Sequence, residues 1–275
     1  MNVAVSEFTP SLLATAQFLQ HRTGQVRLPA TLVVLGSGFK DFAAEVEGST
    51  SIDMGEIPYF PQPKVAGHGG ALVLGTIAAQ PVAVLTGRVH LYEGFTPDQV
   101  VYPLRALAAL GVERVLLTNA SGSLDPAVAP GQVVLVRDQI NFTGTSCLVG
   151  AAGRAFGPLF VDMGQAFDGA WAARIKAVAP QVTDGIYVGV LGPSYETPAE
   201  ARMLAGLGAQ VVGMSTVQEV LAARHLGLKV ACLSFVTNMS GGLGTPLLHA
   251  DVLALAEQHK PELTALLIKA VGVAS

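Results

Sequence analysis

The chain has little charge and almost no cysteine. Only 13% of its 275 residues are Asp, Glu, Lys or Arg, and the formal net charge is -4. That balance offers no basic face to nucleic acid or to an anionic membrane, so the expected partner is a small molecule or another copy of the chain. Cys147 and Cys232 lie far apart, with no C-x-x-C and no His/Cys cluster. This argues against a disulfide framework or structural zinc site and fits a reducing, cytoplasmic setting. The opening "MNVAVSEFTP" lacks a signal peptide's basic start and long apolar core, and no stretch of about 18 residues is uninterruptedly apolar. Even "ALVLGTIAAQPVAVLTG" is broken by Gly75, Gln80 and Pro81, and reads as two strands around a turn.

Apolar residues, by contrast, make up 51% of the chain, enough for a large core. The positive mean hydropathy is accounted for by that core together with a subunit interface. Short β-branched runs recur: "TLVVLG", "ALVLGTI", "PVAVLTG", "RVLLTN", "QVVLVRD", "IYVGVLG", "AQVVGMS" and "KVACLSFVTN". They read as buried strands. Helix-period segments, including 97–110, 198–207, 217–227 and 249–270, fall between several of them, which predicts an α/β sheet covered by helices. Thr96-Pro97-Asp98-Gln99 and Thr197-Pro198-Ala199-Glu200 each supply a capping threonine, a proline in the first turn and a capping-box partner; Thr216 and Glu219 repeat the box without proline. Nothing splits the chain, so one domain over 1–275 is expected, with a long glycine-rich functional loop at 143–170.

Polar residues collect where the strands stop, as ligand sites do in open α/β sheets. Gly36, Ser37 and Gly38 allow a close approach to an anion, yet Asp41 stands where a dinucleotide fingerprint needs its third glycine, and no P-loop motif occurs. An ordinary strand-to-loop turn explains this stretch as well. "TNASGSL" and "VGMSTVQE" repeat the theme. Ser215 precedes a helix start, where unpaired N–H groups favour an anion, although capping alone would account for it. "GMSTV" misses the hydrolase elbow G-x-S-x-G at Val217.

"GRVHLYEG" places Arg88 and His90 two residues apart, on one face of an extended segment and suited to one anion. Glu93 either pairs with Arg88 at the surface or orients His90. Glu196 and Asn238 have the donor and acceptor chemistry to read a heterocycle, with Tyr195 and Met214 to cover its face; alternatively Glu196 serves a helix dipole and Asn238 a turn.

In order along the chain, "LGSG", "GEIPYFP", "GHGG", "GRVHLYEG", "TNASGSL", "GPSYETPAE", "VGMSTVQEV" and "FVTN" resemble the trimeric purine nucleoside phosphorylases of the nucleoside phosphorylase superfamily, from about residue 30 to the C-terminus. The resemblance implies a central mixed, twisted, partly barrel-like sheet flanked by helices, and phosphorolysis of purine nucleosides to free base and pentose 1-phosphate. It also implies a homotrimer, no cofactor, and phosphate as co-substrate. Ser37, Arg88, His90, Ser215 and the Ala120 N–H would bind phosphate, with His68 of "GHGG" nearby. Glu196 and Asn238 would bind purine, Tyr195 and Met214 would pack on base and sugar, and Tyr92 would contact the pentose. His249 would meet the 5′-hydroxyl, and Phe156 would be lent to the neighbouring subunit's sugar pocket. Asn238, His90 and Glu196 would carry the catalysis. Asn238 and His249 favour 6-oxopurine nucleosides over methylthioadenosine, whose phosphorylases are the near alternative. The chain departs from the family in "GSGFK" and "NASGS", where "GSGLG" and "NAAGG" are usual. The phosphate set speaks against a non-catalytic nucleoside-binding module and against a hydrolase.

Overall fold

In the computed structural model, residues 9–63, 70–150, 155–241 and 249–274 are described, apart from the side chains of 249–253. Among the described residues, nine strands form one sheet: β1 Thr31–Val34, β2 Glu47–Asp53, β3 Ala71–Ile77, β4 Gln80–Leu85, β5 Arg114–Ser123, β6 Val133–Asn141, β7 Thr183–Gly189, β8 Val211–Gly213 and β9 Lys229–Met239. Their order is β2-β3-β4-β1-β5-β8-β7-β6-β9, and β9 also pairs with β5. That extra pairing closes β5, β8, β7, β6 and β9 into a ring, so half of the sheet is a small barrel and half an open wing. Parallel pairs (β1/β4, β1/β5, β5/β9, β6/β7, β7/β8) mix with antiparallel ones (β2/β3, β3/β4, β5/β8, β6/β9).

The strand runs are continuously apolar because both faces of the sheet are covered. Leu32 and Val34 of β1, Val115 and Leu117 of β5, and Val230 and Cys232 of β9 pack in one core. Helices α1 Pro10–Thr23, α2 Pro97–Ala109 and α5 Val217–His225 cover that side, through Leu19, Leu107 and Val220. The alternate residues Val33, Leu116, Ala231 and Leu233 enter a second core beneath α3 Gly169–Val178 and α7 Lys260–Gly272, through Trp171, Ile175 and Leu267. Helix α4 Pro198–Gly206 packs on the barrel, with Leu204 against Val188 and Val212.

All eight anticipated strands are present, as are the capping boxes opening α2 and α4. The β3/β4 hairpin pairs Ile77 with Gln80 across a two-residue turn, Ala78-Ala79, in which both alanines are left-handed. Three elements lie outside the expected set. β2 is polar because it is the exposed edge, with only Ile52 buried. α1 starts at Thr9-Pro10, the same cap-and-proline signal as α2, and α3 is capped by the Asp168 side chain. One expectation fails: 249–270 is two helices, α6 His249–Gln258 and α7, interrupted at His259. Pro261, in the first turn of α7, lacks the N–H that a continuous helix would donate to the residue four before it, and its ring crowds that carbonyl. The 143–170 segment has neither helix nor strand among its described residues until α3 begins at Gly169.

Candidate active site

The strand ends converge on one open cavity. Ser37 follows β1, Arg88, His90 and Tyr92 follow β4, Ala120 lies near the end of β5, and Met214 and Ser215 follow β8. Tyr195 and Glu196 precede α4, and Asn238 lies near the end of β9. All ten, singled out in the sequence, line this one cavity. A register shift in the β5/β9 ladder helps to aim Asn238. Ser121 pairs with Val236 but Gly122 with Asn238, leaving Thr237 as an extra residue. Such bulges re-aim side chains beside functional sites.

Arg88 forms one end of the cavity and is only 7% exposed. Nη2 donates to the Val34 carbonyl at 3.1 Å, Nη1 donates to Ser215 Oγ at 3.4 Å, and Nε lies 3.4 Å from Glu219 Oε1 in an ion pair buried on both sides. The sequence suggested Glu219 only as a helix-capping residue. Folding makes it the counter-charge of the anion-facing arginine.

The helix-terminus reading of Ser215 needs correction. Its N–H donates to the Tyr187 hydroxyl at 3.3 Å, and the Thr216 N–H donates to Glu219 Oε2 at 3.2 Å. A carboxylate of α5 itself thus sits where an external anion was expected, and Ser215 faces the cavity through its side chain. The backbone here is strained: Thr216, a β-branched residue, has φ +71.

Buried hydroxyls and an amide link that side chain to the core. Asn119 Nδ2 donates to Thr216 Oγ at 2.8 Å, and Ser234 Oγ donates to Asn119 Oδ1 at 2.6 Å. Thr216 Oγ, which accepts from Asn119, also lies 3.0 Å from Ser215 Oγ, a contact in which either hydroxyl can donate. Ser215 Oγ accepts from Arg88, and its own proton is available to Thr216 Oγ or to the cavity. A hydroxyl so placed can donate to an oxyanion in the cavity.

Glu93 proves to be the partner of His90, not of Arg88. One oxygen, Oε1, accepts from the His90 backbone N–H at 2.9 Å and lies 3.0 Å from ring Nδ1. The carboxylate so assigns the Nδ1 proton and fixes the ring plane. The imidazole also stacks on Tyr92, with ring centroids 4.8 Å apart and planes 11° apart. Burial, reinforced by the charge of Glu93, pushes the Tyr92 phenol up to about 12, so it remains a hydroxyl donor at neutral pH.

The opposite end carries Glu196 and Asn238. The Ser240 hydroxyl donates to Glu196 Oε2. Thr237 Oγ lies 3.0 Å from Asn238 Oδ1 and 3.2 Å from the Ser121 carbonyl, its single proton serving one at a time. Gly122 lies under the asparagine: a Cβ there would come within 3.1 Å of Asn238 Nδ2 and of Ser240 Cβ. Tyr195, 49% exposed, stands at the mouth of the cavity.

Phe156 does not line the cavity. It is half-buried beneath Arg105, whose guanidinium carbon lies 4.5 Å from the ring centroid, and it borders a separate hollow that also contains His225. His68 lies outside the described residues. The backbone of His249 opens α6, but its side chain is likewise outside them. Cys147 and Cys232 are free and buried, and burial pushes their thiols up to about 11 and about 12. Among the described residues no His/Cys/Asp/Glu group has the makings of a metal site, and no helix is long and apolar enough to cross a membrane.

A family model described as the phosphorylase superfamily matches residues 30–272. Purine nucleoside phosphorylase 1 of Geobacillus stearothermophilus is 40% identical over 252 residues, 90% of this chain and 91% of that protein. Purine nucleoside phosphorylase of Mycobacterium tuberculosis is 42% identical over 94% of each. Among solved structures, the Schistosoma mansoni purine nucleoside phosphorylase in complex with inosine superposes with a TM-score of 0.89 and 34% identity, covering 99% of this chain and 98% of that one. On these matches, the chain belongs to the phosphorylase superfamily and, within it, to the purine nucleoside phosphorylases.

Proposed function

We propose that the chain catalyses reversible phosphorolysis of 6-oxopurine nucleosides and their 2′-deoxy forms, giving free base and pentose 1-phosphate. One observation carries the reading: a single cavity has an anion-binding end (Arg88, Ser37, His90, the Ala120 N–H and Ser215) and a base-reading end (Glu196 and Asn238), with Tyr92 and Met214 also in its lining. The likeness to a phosphorylase solved with inosine supports the same assignment.

Cleavage of the bond between the anomeric carbon and the purine nitrogen builds positive charge on the sugar and negative charge on the base. Phosphate held by Arg88, Ser37 and the Ser215 hydroxyl lies against the cationic sugar, and one of its oxygens forms the new bond to the anomeric carbon. The electron pair of the breaking bond moves into the purine, where an Asn238 N–H donated to the five-membered ring strengthens as charge arrives. Glu196 accepts from the N1–H of the other edge. His68 and His249 take the phosphate and 5′-hydroxyl roles that the family resemblance implies. The reaction so written needs no metal or organic cofactor; inorganic phosphate is the co-substrate.

We also assign the active assembly as a cytoplasmic homotrimer in which Phe156 serves a neighbouring site. Its place outside its own chain's cavity supports this, as do Leu159 and Phe160 beside it, 55% and 88% exposed. The deciding experiment follows hypoxanthine release from inosine with and without phosphate, with adenosine and methylthioadenosine in parallel. Phosphate-dependent release from inosine is expected. Release without phosphate would mean hydrolysis, preference for methylthioadenosine would move the specificity, and no release at all would leave a binding module.

A further inference from the structure

Ser240 has no role in the assignments above and does not line the cavity. Its backbone N–H donates to the Ser123 carbonyl at 2.8 Å, which ties the chain just beyond β9 to the end of β5, and the residue is only 2% exposed. The next residue, Gly241, has φ +63 and lies against α4 so closely that a Cβ would overlap the Ala201 side chain. Ser240 is thereby fixed relative to the segment that carries Glu196, and its hydroxyl donates to Glu196 Oε2. Glu200, the carboxylate one helical turn further on, is occupied by the Thr197 N–H at 2.8 Å.

We propose that Ser240 is a positioning residue that sets base specificity. By donating to one oxygen of Glu196, it holds that carboxylate as an acceptor towards the base edge. A hydroxyl carries one proton, and Glu196 is the acceptor that the described residues provide for it. The Ser240 bond is stronger to an ionised carboxylate than to the carbonyl oxygen that a protonated Glu196 would offer it, so the contact favours the acceptor form. The two purine classes differ at the atom this acceptor faces. A 6-oxopurine presents N1–H, a donor. A 6-aminopurine presents a lone pair at N1, which a carboxylate repels and which only a protonated carboxyl, acting as donor, would satisfy. The Ser240 hydroxyl thus works against the form of Glu196 that adenosine requires.

The inference rests on the proposed phosphorolysis, and its test separates the two. Wild-type protein, Ser240→Ala and Ser240→Thr are compared in kcat/KM for inosine and adenosine, in KM for phosphate, and in direct binding of hypoxanthine and adenine. In Ser240→Ala the preference for inosine over adenosine should fall by roughly tenfold through the nucleoside terms, as expected for losing a hydrogen bond to a charged group. KM for phosphate should stay unchanged, and Ser240→Thr, which keeps the hydroxyl, should restore the preference. Should the alanine variant fail to fold, Ser240→Cys, nearly isosteric but a weak donor, must show the same loss. An unchanged base preference, a parallel rise in the phosphate KM, or a threonine variant that behaves like alanine would overturn the role of Ser240. Wild-type protein inert towards inosine and phosphate would refute the phosphorolysis, while the ratio of hypoxanthine to adenine binding would still decide the Ser240 contact.

Discussion

Replacing Glu219 with glutamine removes the charge that balances Arg88 while keeping the shape and a carbonyl oxygen for the Thr216 N–H. Both partners of the pair are about 6% exposed on their side chains, with Nε and Oε1 3.4 Å apart, so water cannot compensate. Leaving one charge buried alone costs about 3 kcal/mol. For 275 residues the unfolding entropy is ~0.6 kcal/mol/K, which converts that loss to about 5 °C in Tm. The second half of the prediction distinguishes this from an ordinary core defect. Phosphate brings a new counter-charge to the same guanidinium. In the wild type, phosphate at a hundredfold excess over its Kd stabilises by about 2.7 kcal/mol. In Glu219→Gln the anion no longer shares Arg88 with a carboxylate, so the phosphate-induced rise in Tm should exceed the wild-type rise. Calorimetric scans of both proteins with and without phosphate provide the assay. An unchanged Tm for the phosphate-free variant, or a phosphate response no larger than that of wild type, would refute the electrostatic account.

Asn238→Ala should lower kcat on the order of a hundredfold with little change in nucleoside KM, because the lost contact strengthens only as the purine leaves; initial-rate kinetics check this. Gly122→Ala should lower kcat by about tenfold with a near-normal Tm, since the added methyl meets Asn238 Nδ2 at 3.1 Å and misaligns it; restoration of full activity would place the asparagine elsewhere. At high pH, Tyr187 should destabilise the fold. Burial pushes its phenol from 10.0 to about 12, so the folded state resists an ionisation that the unfolded chain undergoes near 10. Its contribution is complete below about pH 10 and is lost as pH rises towards 12, by a total of about 3 kcal/mol. Denaturation midpoints between pH 8 and 11 should therefore fall less steeply in Tyr187→Phe than in wild type.

Local chemistry made much of this protein readable in advance. A strand buried on both faces must be apolar throughout, so "RVLLTN" and "KVACLSFVTN" are visible as β5 and β9 without knowledge of their neighbours. Thr-Pro with a partner three residues on marks α2 and α4 because the cap satisfies N–H groups within the same few residues. The edge strand β2, "EGSTSID", left no such trace, since an exposed strand has no need of apolar side chains. Ten cavity residues were likewise marked by type and place at strand ends, together with the order of their motifs along the chain.

Tertiary structure alone decided which groups meet. Arg88 and Glu219 are 131 positions apart, Glu196 and Ser240 are 44 apart, and the Asn119–Thr216 and Ser234–Asn119 bonds join segments 97 and 115 apart. Hydrogen bonds and ion pairs act over about 3 Å of space, whatever their separation along the chain. The sequence by itself therefore determined the strands, the caps and the chemical kinds gathered at the site. The tertiary fold decided that Glu219 neutralises Arg88, that Ser215 lies against both Arg88 and Thr216, and that Glu196 is held by a serine.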